Sequence, residues 1–541
     1  MSGTLSAAQA KHLLRRMTYR YNKAQIDAYA GMSVSAAVDA LFNFDYSTLT
    51  LAEPIDPNSG QPWINSGSAP SSAEFALRYY TIGWWLNEAL NDPTARHKMA
   101  FFLHQSFPVH MDVRPAADLY DYMALLRFHA KGSYKELAQR MTLSNIMMRY
   151  LNNDNNNRWN PNENYAREFL ELFTIGKGPQ IAPQNYTHYQ ELDVQVGAEL
   201  LTGWRKGDRS NPAHKDPVTG LTQAYPTLNF HVTGPKTFSS AFPDANGQPT
   251  TIATATSEAD MFRELQDYVD MIFDQDETAR HLCRKIYRFF VGGEISAAVE
   301  TDIINPLAVI MRNSNYSLET TMKALCKSQH FFGMDDGIAD NDIVLAVMRS
   351  PLDLALHTLS LFELPIPDPT SNPDAHYNEL FRRGVQVAMC EKAGMMPFQP
   401  VNVAGYSAYY QAPQFHRTWF NGSSIVARYK LPQMLIEGKP LLTWGSLGTQ
   451  IEIGNFVANS GWCNNPADSS SLVDDMAFYV FGHNLSADRL TYFEDILLGN
   501  LSPINWQFEW QASQGAPGSG AAAALEKLFK AMLYSQEYQL M

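Results

Sequence analysis

The feature that most limits the fold is periodicity. Through the first two hundred residues apolar side chains recur at three- and four-residue spacing, in "AQAKHLLRRM", "SAAVDALFN", "EFALRYYTIGWWLNEAL", "ARHKMAFFLHQSF", "DLYDYMALLRFHA" and "YKELAQRM". Such spacing lines one stripe of an α-helix and does not suit a strand, whose side chains alternate with period two. Short polar or Pro/Gly breaks separate the segments, which predicts a helical bundle rather than strand–helix–strand units. With 45% hydrophobic and 12% aromatic residues among 541, the chain can bury a large core. The predicted fold is all-α, a large multi-helix bundle with two long irregular excursions and at most a small β-hairpin.

The first excursion runs from about 205 to 257, where Gly, Pro, Thr and Asn replace helical period. Helices resume in "EADMFRELQDYVDMIF" and "ARHLCRKIYRFFV", and the Pro-rich "ELPIPDPTSNPDAHY" divides the chain near 365. Residues 1–364 are read as a helical core and 365–541 as a C-terminal helical part packed on it, with an aromatic loop at about 396–424. "AQRMTLSNIM", "MKALCKSQHF" and "FKAMLYSQEY" share an outline ending at Ser144, Ser328 and Ser535. Their irregular spacing fits a recurring helix–cap–helix device and no solenoid.

A net charge of −14 argues against a nucleic-acid partner, which calls for a basic surface. No run of eighteen apolar residues predicts a membrane span. The N-terminal segment lacks the apolar middle of a signal peptide, so the sequence as given reads as cytoplasmic; a leader removed earlier would make it periplasmic or secreted. Cys283, Cys326, Cys390 and Cys463 show neither zinc nor disulfide spacing.

Chemistry concentrates in "WNPNENYAREFLELFTIGKG". Asn160 reads as N-cap, Pro161 as first helical residue and Glu163 as the return half of a capping box. At about 100° per residue, Arg167, Glu171 and Glu168 lie roughly 40°, 80° and 140° from Glu163, on one face. A solvated stripe of i,i+4 pairs explains them; so does a site in which Glu168 and Glu171 meet His104 and His129 from other helices, for acid–base work or to hold a divalent cation. No Glu-x-x-His, phosphate loop or nucleophile elbow is present. "HVTGPKTF" offers Lys236 beside a glycine turn. The loop "NVAGYSAYYQAPQFHRTWF" offers Tyr406 and Trp419, which either stack on a sugar or other ligand or fill a gap between helices.

These words in this order resemble the family called domain of unknown function 1800, large and mostly helical bacterial proteins. The resemblance runs from "HLLRRMTY" through "FFLHQSF", "LLRFHAKGSYKELA", "YLNNDNNNRWNPNENYAREFLELFTIG", "LTGW", "GPKTF", "RKIYRFFV" and "SPLDLAL" to "NVAGY". It implies signature positions at Asn153, Asn156, Pro161, Asn162, Glu163, Asn164, Arg167, Glu168, Glu171, Trp204, Lys236, Asn402 and Gly405, and at His104 and His129. It also implies a neighbouring partner similar to the alkaline phosphatase and sulfatase group, and frequent export. It carries no established activity. This chain departs at Leu103, Ser106, Asn152 and Tyr406, and the histidine missing at Ser106 weakens a metal site.

The resulting expectation is an enzyme of unknown reaction with a cleft walled by the 161–174 helix, acting on a small molecule, a carbohydrate or another polymer. Glu168, Glu171, Arg167, His104 and His129 are its expected catalytic residues. Lys236, Asn164, Trp204, Asn402, Tyr406 and Trp419 are its expected substrate contacts. The alternative is a non-catalytic scaffold in which the same residues form caps and ion pairs.

Overall fold

A computed structural model describes residues 3–45, 52–65, 69–334, 347–439, 450–482 and 484–541. Its architecture is all-α. Helices begin where the sequence supplies a serine: the Oγ of Ser6, Ser133, Ser257, Ser317, Ser350 and Ser519 each accepts the backbone N–H three residues on. Each such cap is worth about 1 kcal/mol. Of the three recurring serines only Ser328 caps in this way; Ser144 makes no such side-chain bond, and Ser535 Oγ donates back to Met532 O. Ser144 precedes the helix Asn145–Tyr150, Ser328 Oγ accepts from Phe331 N, and Ser535 follows the helix Gly520–Tyr534.

The first excursion is stapled by two antiparallel pairs, Trp204–Arg205 with Tyr225–Pro226 and Lys236–Thr237 with Thr251–Ile252. Two further small pairs lie outside it, Ile55–Asp56 with Gln61–Pro62 and Gln180–Ala182 with Asn185–Tyr186. Among the described residues no helix is long and apolar enough to cross a membrane.

One hydrophobic core runs from Leu5 to Tyr538 and is continuous across the Pro-rich break. Buried arginines of the first helix, Ala7–Met17, fasten its two ends. Arg15 Nη2 donates to Leu540 O at 2.6 Å; Arg16 donates to Val291 O at 3.1 Å and Met541 O at 3.0 Å. Val291 ends the helix Asp276–Phe290, where free carbonyls carry partial negative charge and favour a cation. The arginines of "HLLRRM" are therefore structural. The helix Arg96–Ser106 packs on the same partner through Phe102, whose ring lies 5.5 Å from Phe289 and 5.6 Å from Phe290. Phe289 in turn stacks on Tyr409 of the aromatic loop at 4.7 Å.

Candidate functional site

The glutamate helix spans Glu163–Glu168 and starts later than expected. Asn162, not Asn160, is the N-cap, its side chain accepting from Asn164 N at 3.0 Å. The cause is buried Asn156, whose Oδ1 takes the Asn162 N–H at 2.8 Å while its Nδ2 donates to Ala198 O. Asn160 is instead bridged to Asn157. Glu163, expected to close a capping box, is the first helical residue and pairs with Arg167 at 2.9 Å.

From Phe169 to Phe173 the helix widens into a π-turn. Four of its five carbonyls are claimed from outside the turn: Phe169 O by Thr174 Oγ1, Leu170 O by Gly176 N, Leu172 O by Lys285 Nζ at 2.6 Å, and Phe173 O by Tyr134 Oη. The wider turn also shifts Glu171 away from its position on a regular helical wheel.

On the outer face Arg167 donates to both oxygens of Glu191, at 2.7 and 2.9 Å, besides Glu163. Glu171 pairs with Lys177 and accepts from Tyr189 Oη at 3.2 Å. Among the described residues no hydrogen bond or ion pair reaches Glu168. Desolvation, and next the Glu171 charge, push its carboxyl up to about 7.

The structure brings Arg167, Glu168 and Glu171 together and leaves the other expected residues elsewhere. His104 is fully buried against Phe398, 4.6 Å between centroids. The single Tyr122 hydroxyl proton goes to Phe107 O, so His104 Nδ1–H donates to Tyr122 Oη at 2.7 Å and Nε2 is left without a partner. Burial holds this imidazole down to about 3 and so neutral. His129 is buried at the end of the helix Ala116–Phe128, also held to about 3. Neither histidine hydrogen-bonds to either glutamate, because both are core residues while the glutamates line a half-exposed face. Among the described residues no group of three His, Cys, Asp or Glu could hold a metal ion.

Lys236 is enclosed with Glu264 and His231. Its Nζ lies 2.9 and 3.1 Å from the Glu264 oxygens, and His231 Nε2 lies 2.8 Å from Glu264 Oε2. This knot ties the 205–257 excursion to the helix Glu258–Phe273. Trp204 is buried edge-on against Phe262 at 4.9 Å, and Asn164 is exposed, donating to Leu151 O.

A cavity of about 110 Å³ opens at the C-terminal end of the glutamate helix, beside Leu172. Phe102, Gln105 and Ser106 form one wall, Val403, Ala404, Tyr409 and Tyr410 another, and His281, Lys285 and Arg288 a third. The last three are spaced i, i+4, i+7 on one helix, which puts them on one face. Arg284, between them, turns away into ion pairs with Glu277 and Glu300, the latter at 2.6 Å. Among the described residues no carboxylate lines the cavity. Lys285 donates to Leu172 O at 2.6 Å and reaches Ser106 O only at 3.5 Å; burial lowers its amine to about 7. Among the described residues Arg288 has no ion pair or hydrogen bond and lies 5.7 Å from the Phe415 ring centroid. Burial also keeps His281 well below the usual histidine range, hence neutral.

The aromatic loop is riveted to this cavity by Gln105, which donates to Ala404 O at 3.2 Å and accepts from Tyr406 N at 2.8 Å. Gly405 makes that approach possible: its φ is +90°, and a Cβ there would fall 2.5 Å from Gln105 side-chain atoms. Asn402 bonds the Tyr410 hydroxyl at 3.0 Å, so it positions a wall residue. Tyr406 and Trp419 are buried behind the wall; Tyr406 Oη donates to Met396 O, and Trp419 packs on Tyr409 at 6.1 Å. His281, Lys285, Arg288 and Gln105 were not among the sequence candidates. The available signal was the 281/285/288 spacing within "HLCRKIYR", a basic stripe on the polar side of an amphipathic helix.

The segments around the cavity are "FFLHQSF", "LELFT", "RKIYRFF" and "NVAGY", brought from four distant parts of the chain. Comparison with curated proteins and with solved structures gives no match. The family described as "Protein of unknown function (DUF1800)" matches residues 12–540. Through that match, which spans nearly its whole length, this chain belongs to the DUF1800 family.

Proposed function

We propose that the chain is an enzyme that takes a small anionic substrate into the Lys285–Arg288 cavity. One observation carries this reading: two basic side chains share a wall on which, among the described residues, no carboxylate stands. Lys285 and Arg288 are half-buried, and a cation partly withdrawn from water is stabilised by a partner of opposite charge. An anionic ligand supplies the missing partner. Phe102, Tyr409 and Tyr410 offer apolar sides for its body. Lys285, half protonated near neutrality, is suited to acid–base work, whereas His281 is not. At about 110 Å³ the cavity is below the ~300 Å³ of drug-sized sites, which favours a small molecule over a polymer segment.

The ion pairs of Arg167 with Glu163 and Glu191 favour a positioning role for the outer face. They hold the helix whose Leu172 carbonyl orients Lys285.

The test is thermal denaturation in inorganic phosphate or benzoate against chloride at equal ionic strength. Specific binding at a hundred times Kd stabilises by about 2.7 kcal/mol, and Arg288→Gln removes the effect. Equal midpoints in all three anions would end this reading.

A further inference from the structure

We infer that Lys285 is a nucleophile that forms an imine with the carbonyl carbon of a small oxo acid whose carboxylate rests on Arg288. The inference rests on the anion-pocket reading and names its substrate class. Three features of the geometry point to it. Lys285 donates one N–H to Leu172 O at 2.6 Å, which fixes the amine at the cavity wall and leaves its lone pair, when deprotonated, free of that bond. Arg288 follows one helical turn later, with Cβ atoms about 5–6 Å apart at i,i+3 spacing, so both side chains reach one small molecule. The guanidinium offers a planar fork for a carboxylate and, among the described residues, makes no ion pair or hydrogen bond with one, feeling Glu300 only at longer range.

The surroundings suit an amine nucleophile. On its own helix the titratable groups within a turn are His281, held neutral by burial, Arg284, spent on Glu277 and Glu300, and Arg288; Asp276 and Glu277 lie further back and pair with Arg280 and Arg284. From the glutamate helix the nearest packed residue is Leu172, and Gln105 and Ser106 face it from the helix Arg96–Ser106 without charge. No anion therefore holds the ammonium in its protonated form, and burial favours the neutral amine.

In the step itself, the Nζ lone pair attacks the carbonyl carbon and the C–N bond forms as the C=O π pair moves to oxygen. The oxygen takes up the proton released by nitrogen. A second proton, from solvent, lets it leave as water while the nitrogen lone pair forms the C=N bond. The products are a protonated imine and one water; nothing is oxidised or reduced.

Pyruvate with cyanoborohydride reads this directly, because hydride reduces the protonated imine to a stable secondary amine that peptide mass spectrometry locates. Expected is a single dominant adduct on Lys285 in the wild-type protein. It should fall at least tenfold in Arg288→Gln, vanish in a folded Lys285→Met, and be much weaker with acetaldehyde, which lacks the carboxylate. Adducts spread over exposed lysines, or acetaldehyde labelling Lys285 as well as pyruvate does, would overturn the imine. If pyruvate raises the melting midpoint yet leaves no adduct, the pocket stands and the nucleophile falls. If neither pyruvate nor phosphate shifts the midpoint, the pocket reading itself has failed.

Discussion

Replacing Lys285 by Met tests the electrostatics of the cavity without reference to any ligand. The amine sits near 7 in the folded chain against an ordinary value of 10.5. Between those values the unfolded chain binds more protons than the folded one, so stability rises with pH across that window. The full shift corresponds to about 5 kcal/mol at 1.36 kcal/mol per pH unit; water in the open pocket screens this to roughly 2 kcal/mol. Met removes that charge cost and also the bond to Leu172 O, worth about 1 kcal/mol. The variant should therefore be about 1 kcal/mol more stable than wild type at pH 7, with the advantage shrinking as pH rises toward 10.5. Urea unfolding followed by tryptophan fluorescence at pH 6.5, 7.5 and 8.5 measures the difference, and the difference cancels contributions from other titrating groups. Parallel pH profiles, or a variant weaker by several kcal/mol at every pH, would show that Lys285 is a charged cap for the π-turn and nothing more.

Two further outcomes follow from the same geometry. Gly405→Ala places a side chain at φ +90° and drives its Cβ into Gln105. The left-handed backbone costs about 1–2 kcal/mol and each displaced Gln105 bond about 1, so stability should fall by ~2–4 kcal/mol and the anion response should weaken; an unchanged melting midpoint would refute this. Glu168 carries a folded value of about 7 against 4.5, so its burial cost grows as pH rises from 4.5 to 7 and is complete above. Glu168→Gln should accordingly gain under about 1 kcal/mol at pH 8 and nothing at pH 5. An equal effect at both values, in paired thermal melts, counts against the desolvated carboxyl.

Much of the architecture was written in local pattern. Serine caps, apolar periods and the two irregular excursions depend on neighbours within a few residues, so the helices and their breaks are legible one segment at a time. The shared face of Arg167 and Glu168 was legible for the same reason, whereas Tyr406 and Trp419, expected to touch substrate, are buried as packing residues, the other role open to the loop's aromatics. Local pattern stopped at the helix start, because Asn156 reaches forward six residues to fix Asn162 and so displaces Asn160 as cap. It also could not place the π-turn, whose carbonyls are claimed by Tyr134 and by Lys285 from 113 residues away. The histidines mark the same boundary. A histidine on an apolar helix looks alike whether it faces a cleft or a core, and only the arrival of Tyr122 and Phe398 decided that His104 faces a core.

By itself, then, the sequence determined an all-α chain, its helical segments, its net negative charge and the membership of its words in one family. Tertiary structure alone decided that the cations of "RKIYRFF" meet a loop held by Gln105 across 301 residues, with no carboxylate between them. The physical reason is range. Helix formation is set by contacts a turn apart, whereas the charge balance of a cavity is set by whichever distant segments close around it.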